Sequence, residues 1–130
     1  MKTIADKLGF KPGRRAWMVN APEKLRDIIG LPVERPDGDI DLLLGFARDV
    51  AALGPLADCL LPIYKRGGSL WGAHPKKSGS IRSDLSRDAG WDCLTQAGLI
   101  PVTQIALDDD WSALRFRYRD EVPKITRKES

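Results

Sequence analysis

The segment DIDLLLGFA, at residues 39–47, constrains the fold of this chain more than any other. After Asp41 its residues are apolar, with no alternation between apolar and polar positions. A strand with one solvated face alternates, whereas a central strand of a parallel sheet is covered on both faces and does not. The segment therefore predicts a buried central strand with helices on both sides of the sheet.

The rest of the chain alternates between strand-like and helix-like segments. Further strands are predicted at residues 15–20, 32–35, 69–74, 101–107 and 114–119, and helices at 3–8, 22–29, from 49 onward and from 80 to 97. Strands joined by helices pair in parallel, while the short connection DDDWS before the last strand allows only an antiparallel hairpin. We expect an α/β fold: a small three-layer Rossmann-like sandwich whose sheet is mostly parallel, with a C-terminal antiparallel hairpin. The predicted strand order is 2-1-3-4-6-5.

Length and composition predict one folded domain. The 130 residues are enough for a single hydrophobic core, and 42% of them are hydrophobic. Residues 1–120 form the predicted domain, while residues 121–130 show no periodicity and are expected to be a flexible tail. We find no run of about 18 apolar residues and no signal-peptide pattern, so we expect a cytoplasmic protein without a membrane partner.

Charge and cysteine spacing narrow the range of partners. Lys and Arg number 21 against 18 Asp and Glu, and the resulting net charge of +3 argues against nucleic acid as a partner. The alternating Arg115, Arg117 and Arg119 are interpreted as charges that protect an exposed sheet edge from pairing. Cys59 and Cys93 lack CxxC spacing, so they predict reduced thiols rather than a metal site or a disulfide.

Common catalytic motifs are missing from this sequence. It has no nucleophile elbow with a Ser-His-Asp set, no phosphate loop ending in GKS or GKT, and no HExxH. The aspartates at 108–110 favour a solvated hairpin over a metal site, because consecutive carboxylates are common in exposed turns. The pattern argues against an ordinary hydrolase or NTPase, and we predict no catalytic residue, metal ligand or cofactor.

Several polar loops are expected to meet at one edge of the sheet. Ligands of open parallel sheets bind beyond the carboxyl ends of the strands. Asn20, Asp49, the loop at 74–80 and the turn at 108–112 all follow predicted strands, so they should emerge at that edge. The sequence therefore predicts that a ligand binds there.

The loop HPKKSGS, at residues 74–80, is the main candidate within this set. Lys76, Lys77 and Arg82 supply positive charge, and Gly79 leaves room for an anion beside the backbone. A helix starting near residue 80 would add unpaired N–H groups, as anion sites commonly use. The predicted ligand-binding residues are Asn20, Asp49, His74, Lys76, Lys77, Ser78, Gly79 and Arg82.

His74 can be interpreted in two ways. It could act as a general base if Asp49 or Asp108 oriented it, or it could be a neutral structural histidine bonded to the backbone at a strand end. The second interpretation is favoured, because the chain has no other histidine for a metal site or a proton relay.

Two long segments carry a resemblance to known families. YKRGGSLWGAHP, together with QAGLIPVTQIALDDDWSALRFRYR, resembles the C-terminal half of class I S-adenosylmethionine-dependent methyltransferases over residues 39–119. KLGFKPGRRAWMVNAPE and LWGAHPKKSGSIRSDLSRD look more closely like a bacterial family of short domains of unknown function, which share KPG, NAP and PKKSG elements. The resemblance implies a methyltransferase-like fold and carries no activity with it.

The chain departs from true methyltransferases at the first strand. The turn Asn20-Ala21-Pro22-Glu23 has no glycine where the cofactor would meet the backbone, and a βα unit is missing before residue 39. We expect a non-catalytic domain that binds a small anionic ligand or a protein partner at the carboxyl edge, and a homodimer is left open. The alternative is an atypical small-molecule S-adenosylmethionine-dependent methyltransferase in which Asn20 and Asp49 contact the cofactor.

Overall fold

One five-stranded sheet with helices on both faces forms the fold. A computed structural model of the protein describes residues 3–65, 67–86 and 89–121. The elements in these residues are α1 (Ile4–Leu8), β1 (Ala16–Val19), α2 (Glu23–Ile29), β2 (Leu42–Phe46), α3 (Val50–Leu60), β3 (Ser69–Pro75), α4 (Asp92–Thr95), β4 (Leu99–Ala106) and β5 (Trp111–Tyr118), followed by a 3-10 turn (Arg119–Glu121). The predicted α/β class is confirmed.

The strand order is β1-β2-β3-β5-β4. β1, β2 and β3 pair in parallel, and β5 pairs antiparallel with both β3 and β4. Two of the four strand pairs are therefore antiparallel, yet four of the five strands run in one direction and only β5 opposes them. The expected mostly parallel sheet with a C-terminal antiparallel hairpin is thus matched in part. The order equals the predicted one after the predicted second strand is removed.

The second strand expected at residues 32–35 is not formed. This segment passes the outer edge of β1 and makes one backbone contact there, in which the Met18 N–H donates to the Pro32 carbonyl at 2.8 Å. Pro32 and Pro36 have no backbone N–H, so the segment cannot complete a ladder beside β1. β1 is therefore the sheet's edge strand, and the topological switch point expected beside it does not exist.

The helix expected from residue 80 to 97 is reduced to the four residues of α4 within the described part of this range, from which residues 87 and 88 are excluded. Side chains upstream of α4 bond to other parts of the chain: Ser83 Oγ donates to the Arg48 carbonyl at 2.6 Å, and Asp84 Oδ1 accepts the Val50 N–H at 2.8 Å. Short polar side chains that bond the backbone in this way compete with helix formation. Gly90, at φ 98°, then turns the chain through the left-handed region towards α4.

The core has two halves, one on each face of the sheet. The half beneath α1 and α2 includes Leu25 and Trp111, and the half beneath α3 and α4 includes Leu56 and Trp91. Every residue of β2 is buried, as predicted for a strand that is covered on both sides. Ile28 of α2 faces away from this core and is 57% exposed.

The arginines of the last strand do not protect a sheet edge. β5 lies inside the sheet between β3 and β4, and it is β4 that forms the edge. Arg115 and Arg117 are half-buried, and only Arg119 is exposed. The edge-strand interpretation of these residues is therefore wrong.

Glu121, the first residue of the predicted tail, is bonded to the rest of the domain. The carboxylate of Glu121 accepts hydrogen bonds from the Tyr64 hydroxyl at 2.7 Å, the Gly67 N–H at 2.7 Å and the Tyr118 N–H at 2.8 Å. The rest of the predicted tail, residues 122–130, lies outside the described residues. Cys59 and Cys93 are both free thiols and are exposed.

Candidate functional site

The predicted loops do meet at one edge of the sheet, which we call the carboxyl edge. β1 to β4 all end there, since β4 pairs antiparallel with β5 and β5 pairs antiparallel with β3. Lys24, at the start of α2, lies 3.2 Å from the Asp110 carboxylate in the β4–β5 turn. Residues that are far apart in sequence are therefore neighbours at this edge.

An internal carboxylate binds the backbone N–H donor that was expected to bind an anion in the loop after β3. Asp110 Oδ1 accepts the Ser80 N–H at 2.7 Å and the Ser80 hydroxyl at 2.9 Å. These bonds, followed by the one from Lys24, lower the pKa of Asp110. No helix begins at Ser80, so the cradle as predicted is not formed, and its donors bind Asp110 instead.

Gly79 is required by packing rather than by access for an anion. A β-carbon at this position would lie 2.8 Å from Asp110 Cα and 3.0 Å from the Asp109 carbonyl oxygen. The β4–β5 turn therefore fills the space beside the loop backbone that was expected to admit a ligand.

The two lysines of the loop remain available. Neither Lys76 nor Lys77 forms an ion pair with any residue in the described ranges. Both line a cavity of about 380 Å³, which we call the His74 cavity, and its lining consists of His74, Lys76, Lys77, Ser78, Ser86, Gln104 and Ser112. Both also line a second cavity of about 610 Å³ that includes Gly79, Ser80 and Arg82.

His74 is buried at the end of β3 and is 2% exposed. Its Nδ1 lies 3.1 Å from the Pro75 carbonyl oxygen, which can only accept, so Nδ1 carries the proton and Nε2 is an acceptor. Nε2 has no hydrogen-bond partner among the described residues. Burial lowers the pKa of His74 despite the bond to Pro75, so the ring is neutral near pH 7. These contacts agree with the structural interpretation of this histidine.

Sequence reasoning missed three polar residues of the His74 cavity: Ser86, Gln104 and Ser112. Ser112 lies opposite His74 in the β3–β5 register, and it is buried on the face that also carries Leu114 and Phe116. A serine at a core-facing position of an alternating strand was a readable signal. Ser86 was not predicted to be part of a site, because the sequence placed it on a helix that the structure does not contain at this residue.

Asn20, Asp49 and Arg82 do not line the His74 cavity. Asn20 follows β1 in the left-handed region, with φ 62°, and takes a backbone conformation that glycine most often supplies. Asp49 is the N-cap of α3, where its side chain accepts the Ala52 N–H at 2.9 Å. Arg82 is exposed and lines the second cavity.

The aspartates at 108–110 form the turn between β4 and β5, in which Asp109 is exposed and Asp108 and Asp110 are partly buried. Asp108 Oδ1 accepts the backbone N–H groups of Asp110 and Trp111, both at 2.8 Å. Across residues 3–65, 67–86 and 89–121, no group of three or more His, Cys, Asp or Glu side chains could hold a metal ion. Within the same ranges, no helix is long and apolar enough to cross a bilayer.

Comparison with solved structures gives a likeness in fold. The chain is similar to LepI C52A, solved in complex with SAH and a substrate analogue, with a TM-score of 0.52 and 11% sequence identity. The match covers 89% of this chain and 39% of the LepI chain, so this chain spans well under half of that protein. The likeness is one of fold, and it supports a methyltransferase-like fold for this chain.

Sequence comparisons identify no relative. No protein-family model matches the chain, and no curated protein is significantly similar to it. The resemblance to a bacterial family of short domains therefore stays a prediction, while the methyltransferase-like fold rests on the sheet topology and on the structural likeness.

Proposed function

We propose that this chain is a non-catalytic methyltransferase-like domain that binds a small anionic ligand in the His74 cavity. The observation that carries the proposal is the pair Lys76 and Lys77, which have no ion-pair partner among the described residues and stand beside a cavity with polar walls. Two cations at a concave polar site favour an anion, because each would otherwise rely on water alone.

The cavity also defines what else the ligand carries. His74 Nε2 is a buried acceptor with no partner in the described part of the chain, while the hydroxyls of Ser86 and Ser112 can donate or accept. A buried acceptor without a hydrogen bond destabilises the fold. A ligand that donates a hydroxyl or amine proton to Nε2 therefore binds more tightly. The ligand class that fits is a small anion with at least one hydrogen-bond donor, such as a hydroxylated phosphate or carboxylate.

The test is a site-resolved titration. We expect inorganic phosphate, pyrophosphate or ADP to shift the backbone amide resonances of Ser78 and Ser112, with an affinity that falls as salt is added. The Lys76→Ala, Lys77→Ala double variant should bind at least about fivefold more weakly at these amides, since it removes both charges.

A charge-matched control is available elsewhere on the molecule. The Lys7→Ala, Lys11→Ala double variant removes the same charge from exposed positions that do not line the His74 cavity. It should leave the titration at Ser78 and Ser112 within about twofold of the natural protein. Equal weakening by both double variants, or no shift with any anion, would rule the proposal out.

An atypical S-adenosylmethionine-dependent methyltransferase is the second candidate. The likeness to an SAH-bound protein is the observation in its favour. Against it, Asp49 is already engaged in capping α3, and the βα unit that would complete the cofactor crevice beside β1 is missing.

Calorimetry with S-adenosylmethionine and SAH separates the two candidates. We expect no saturable heat of binding at ligand concentrations up to about 1 mM. Any affinity would then be weaker than that of a typical cofactor site. Ala21→Gly alone should not create binding, since Ala21 is buried and the missing unit is not restored. A micromolar isotherm with the natural protein would favour the methyltransferase.

A further inference from the structure

A basic cleft lies at the edge of the sheet opposite the carboxyl edge, where β1, β2 and β3 begin. We call it the amino-edge cleft. Its volume is about 700 Å³, and its lining includes Lys7, Lys11, Arg14, Asp41, Lys65, Gly68, Ser69, Trp71, Thr103 and Arg115. None of these residues lines the His74 cavity or the second cavity, which includes Arg82.

The backbone holds one arginine of this cleft in place. After α1 the chain turns at Gly9, with φ 96°, and Arg14 donates through Nη1 to the Gly9 carbonyl at 2.6 Å. The Nη2 of Arg14 donates to the Asp41 carbonyl at 2.9 Å. Two carbonyls therefore fix the guanidinium, while its other N–H groups have no hydrogen bond to a described residue.

Positive charge dominates the lining. Five cationic side chains face one carboxylate, which leaves an excess of four positive charges in a molecule whose total formal charge is only +3. The carboxylate of Asp41 is already engaged, with Lys65 Nζ at 2.7 Å and the Arg15 N–H at 3.0 Å. The cleft is therefore a local concentration of charge rather than part of a generally basic surface.

Arg115 is a half-buried cation of the cleft whose hydrogen-bonding groups are only partly used. It is half-buried in β5 between Trp71 and Thr103, and it forms no ion pair within the described ranges. Its Nη2 donates to the Gly68 carbonyl at 3.3 Å, while its buried Nε has no partner among the described residues. Burial, and then the charge of Arg117, lower the pKa of Arg115, although the charge of Glu121 acts in the opposite direction.

We propose that the amino-edge cleft binds a compact phosphate-bearing anion of the diphosphate class. Two arginines with spare N–H groups match phosphate oxygens in pairs, and Lys7 and Lys11 add charge at the rim. The volume is that of a small-molecule site. The low net charge outside the cleft argues against a long nucleic-acid backbone, which needs charge along an extended track.

Pyrophosphate is the probe for this site, followed through backbone amide resonances. We expect shifts at Gly9, Gly68 and Ser69, which border the cleft, with an affinity that declines as salt is added. The Lys7→Ala, Lys11→Ala double variant should weaken binding at these amides by at least about fivefold. Both lysines are exposed, so the variant is expected to fold normally.

Two controls make the result specific. The Lys76→Ala, Lys77→Ala double variant removes the same charge at the carboxyl edge and should leave binding at Gly9 and Gly68 within about twofold. Arg115→Lys keeps the charge but removes the planar fork, so it should weaken pyrophosphate binding there while the amide spectrum shows the fold intact.

Three results would overturn the proposal. The first is that pyrophosphate shifts neither Gly9 nor Gly68, and the second is that both double variants weaken binding at these amides equally. The third is that a single-stranded oligonucleotide binds at these amides much more tightly than pyrophosphate. Because the two clefts have separate reporter amides, failure here leaves the His74 cavity test unaffected, and the reverse also holds.

Discussion

At the scale of single residues, Asp110 decides what the loop after β3 can do. Its carboxylate accepts both donors of Ser80 and also pairs with Lys24, so the protein supplies its own anion to the loop. Lys76 and Lys77, only a few residues away, are not used in this way. At the carboxyl edge, therefore, the carboxylate of Asp110 is already bonded within the protein, while the two lysines can still contact a ligand.

Removing Asp110 should expose the backbone donor at Ser80 to external anions. In Asp110→Ala we expect faster hydrogen exchange at the Ser80 amide and tighter pyrophosphate binding at Gly79 and Ser80, because an internal competitor is lost. Asp109→Ala is the matched control, since it removes the same charge from an exposed neighbour. Equal effects of the two substitutions would mean that only net charge matters.

The buried ring of His74 leads to a prediction about pH. Because burial lowers its pKa, His74 should still be neutral at a pH where an unfolded histidine, at 6.5, is half protonated. The unfolded chain therefore binds the proton first, and the free energy of unfolding falls as the pH drops below about 6.5. Imidazole resonances should titrate below pH 6.5, and His74→Gln should flatten the dependence of stability on pH between about 5 and 7.

At the scale of elements, the fit of α3 on the sheet depends on one glycine. A β-carbon on Gly45 in β2 would lie 2.8 Å from methyl carbons of Leu56 and Leu60 on α3. Both leucines are buried, so neither can move away without disturbing the core. Gly54, within α3 itself, has no atom within 4 Å of such a β-carbon.

These two glycines should respond oppositely to alanine. We expect Gly45→Ala to lower the free energy of unfolding by about 1–3 kcal/mol, through overpacking between β2 and α3. Gly54→Ala should raise it by about 0.5–1 kcal/mol, because alanine is the better helix former and the space is open. Urea denaturation of both variants measures the difference, and a loss of stability in Gly54→Ala would show that the helix packs differently.

At the scale of the whole molecule, carboxylates connect the turn after β5 and the amino edge to distant parts of the domain. Burial works against ionisation of Glu121, but hydrogen bonds from Tyr64, Gly67 and Tyr118 outweigh it and lower its pKa. Asp41 behaves similarly, with its pKa lowered by Lys65 and then by the Arg15 N–H. These contacts join the last turn and the start of β2 to segments far away in sequence.

The lowered pKa values predict destabilisation by acid. Ordinary values are 4.5 for Glu and 3.8 for Asp, so as the pH falls the unfolded chain takes up protons before the folded one does. The melting temperature should therefore decrease when the pH is lowered below about 4.5. Glu121→Gln should reduce this acid dependence, whereas Glu34→Gln, at an exposed position, should leave it unchanged.

Local patterns in the sequence were sufficient for most elements. The capping box of Thr3 and Asp6, the stop of α2 at Gly30 and the unbroken apolar run of β2 each depend on residues a few positions apart. The order of the remaining strands followed from crossover rules, and so did the meeting of polar loops at the carboxyl edge. These features are predictable because their energetics are contained in short stretches of chain.

Only the tertiary structure decided which polar groups meet. Asp110 binds Ser80 across 30 positions, and Ser83 and Asp84 reach the start of α3 instead of capping a helix of their own. The basic amino-edge cleft likewise collects residues from five separate segments. Such contacts depend on where strands place distant loops, and a short polar side chain bonds whichever backbone group is nearest. The sequence by itself therefore determined the sheet and its layers, while packing at the two sheet edges decided which charges remain for a ligand.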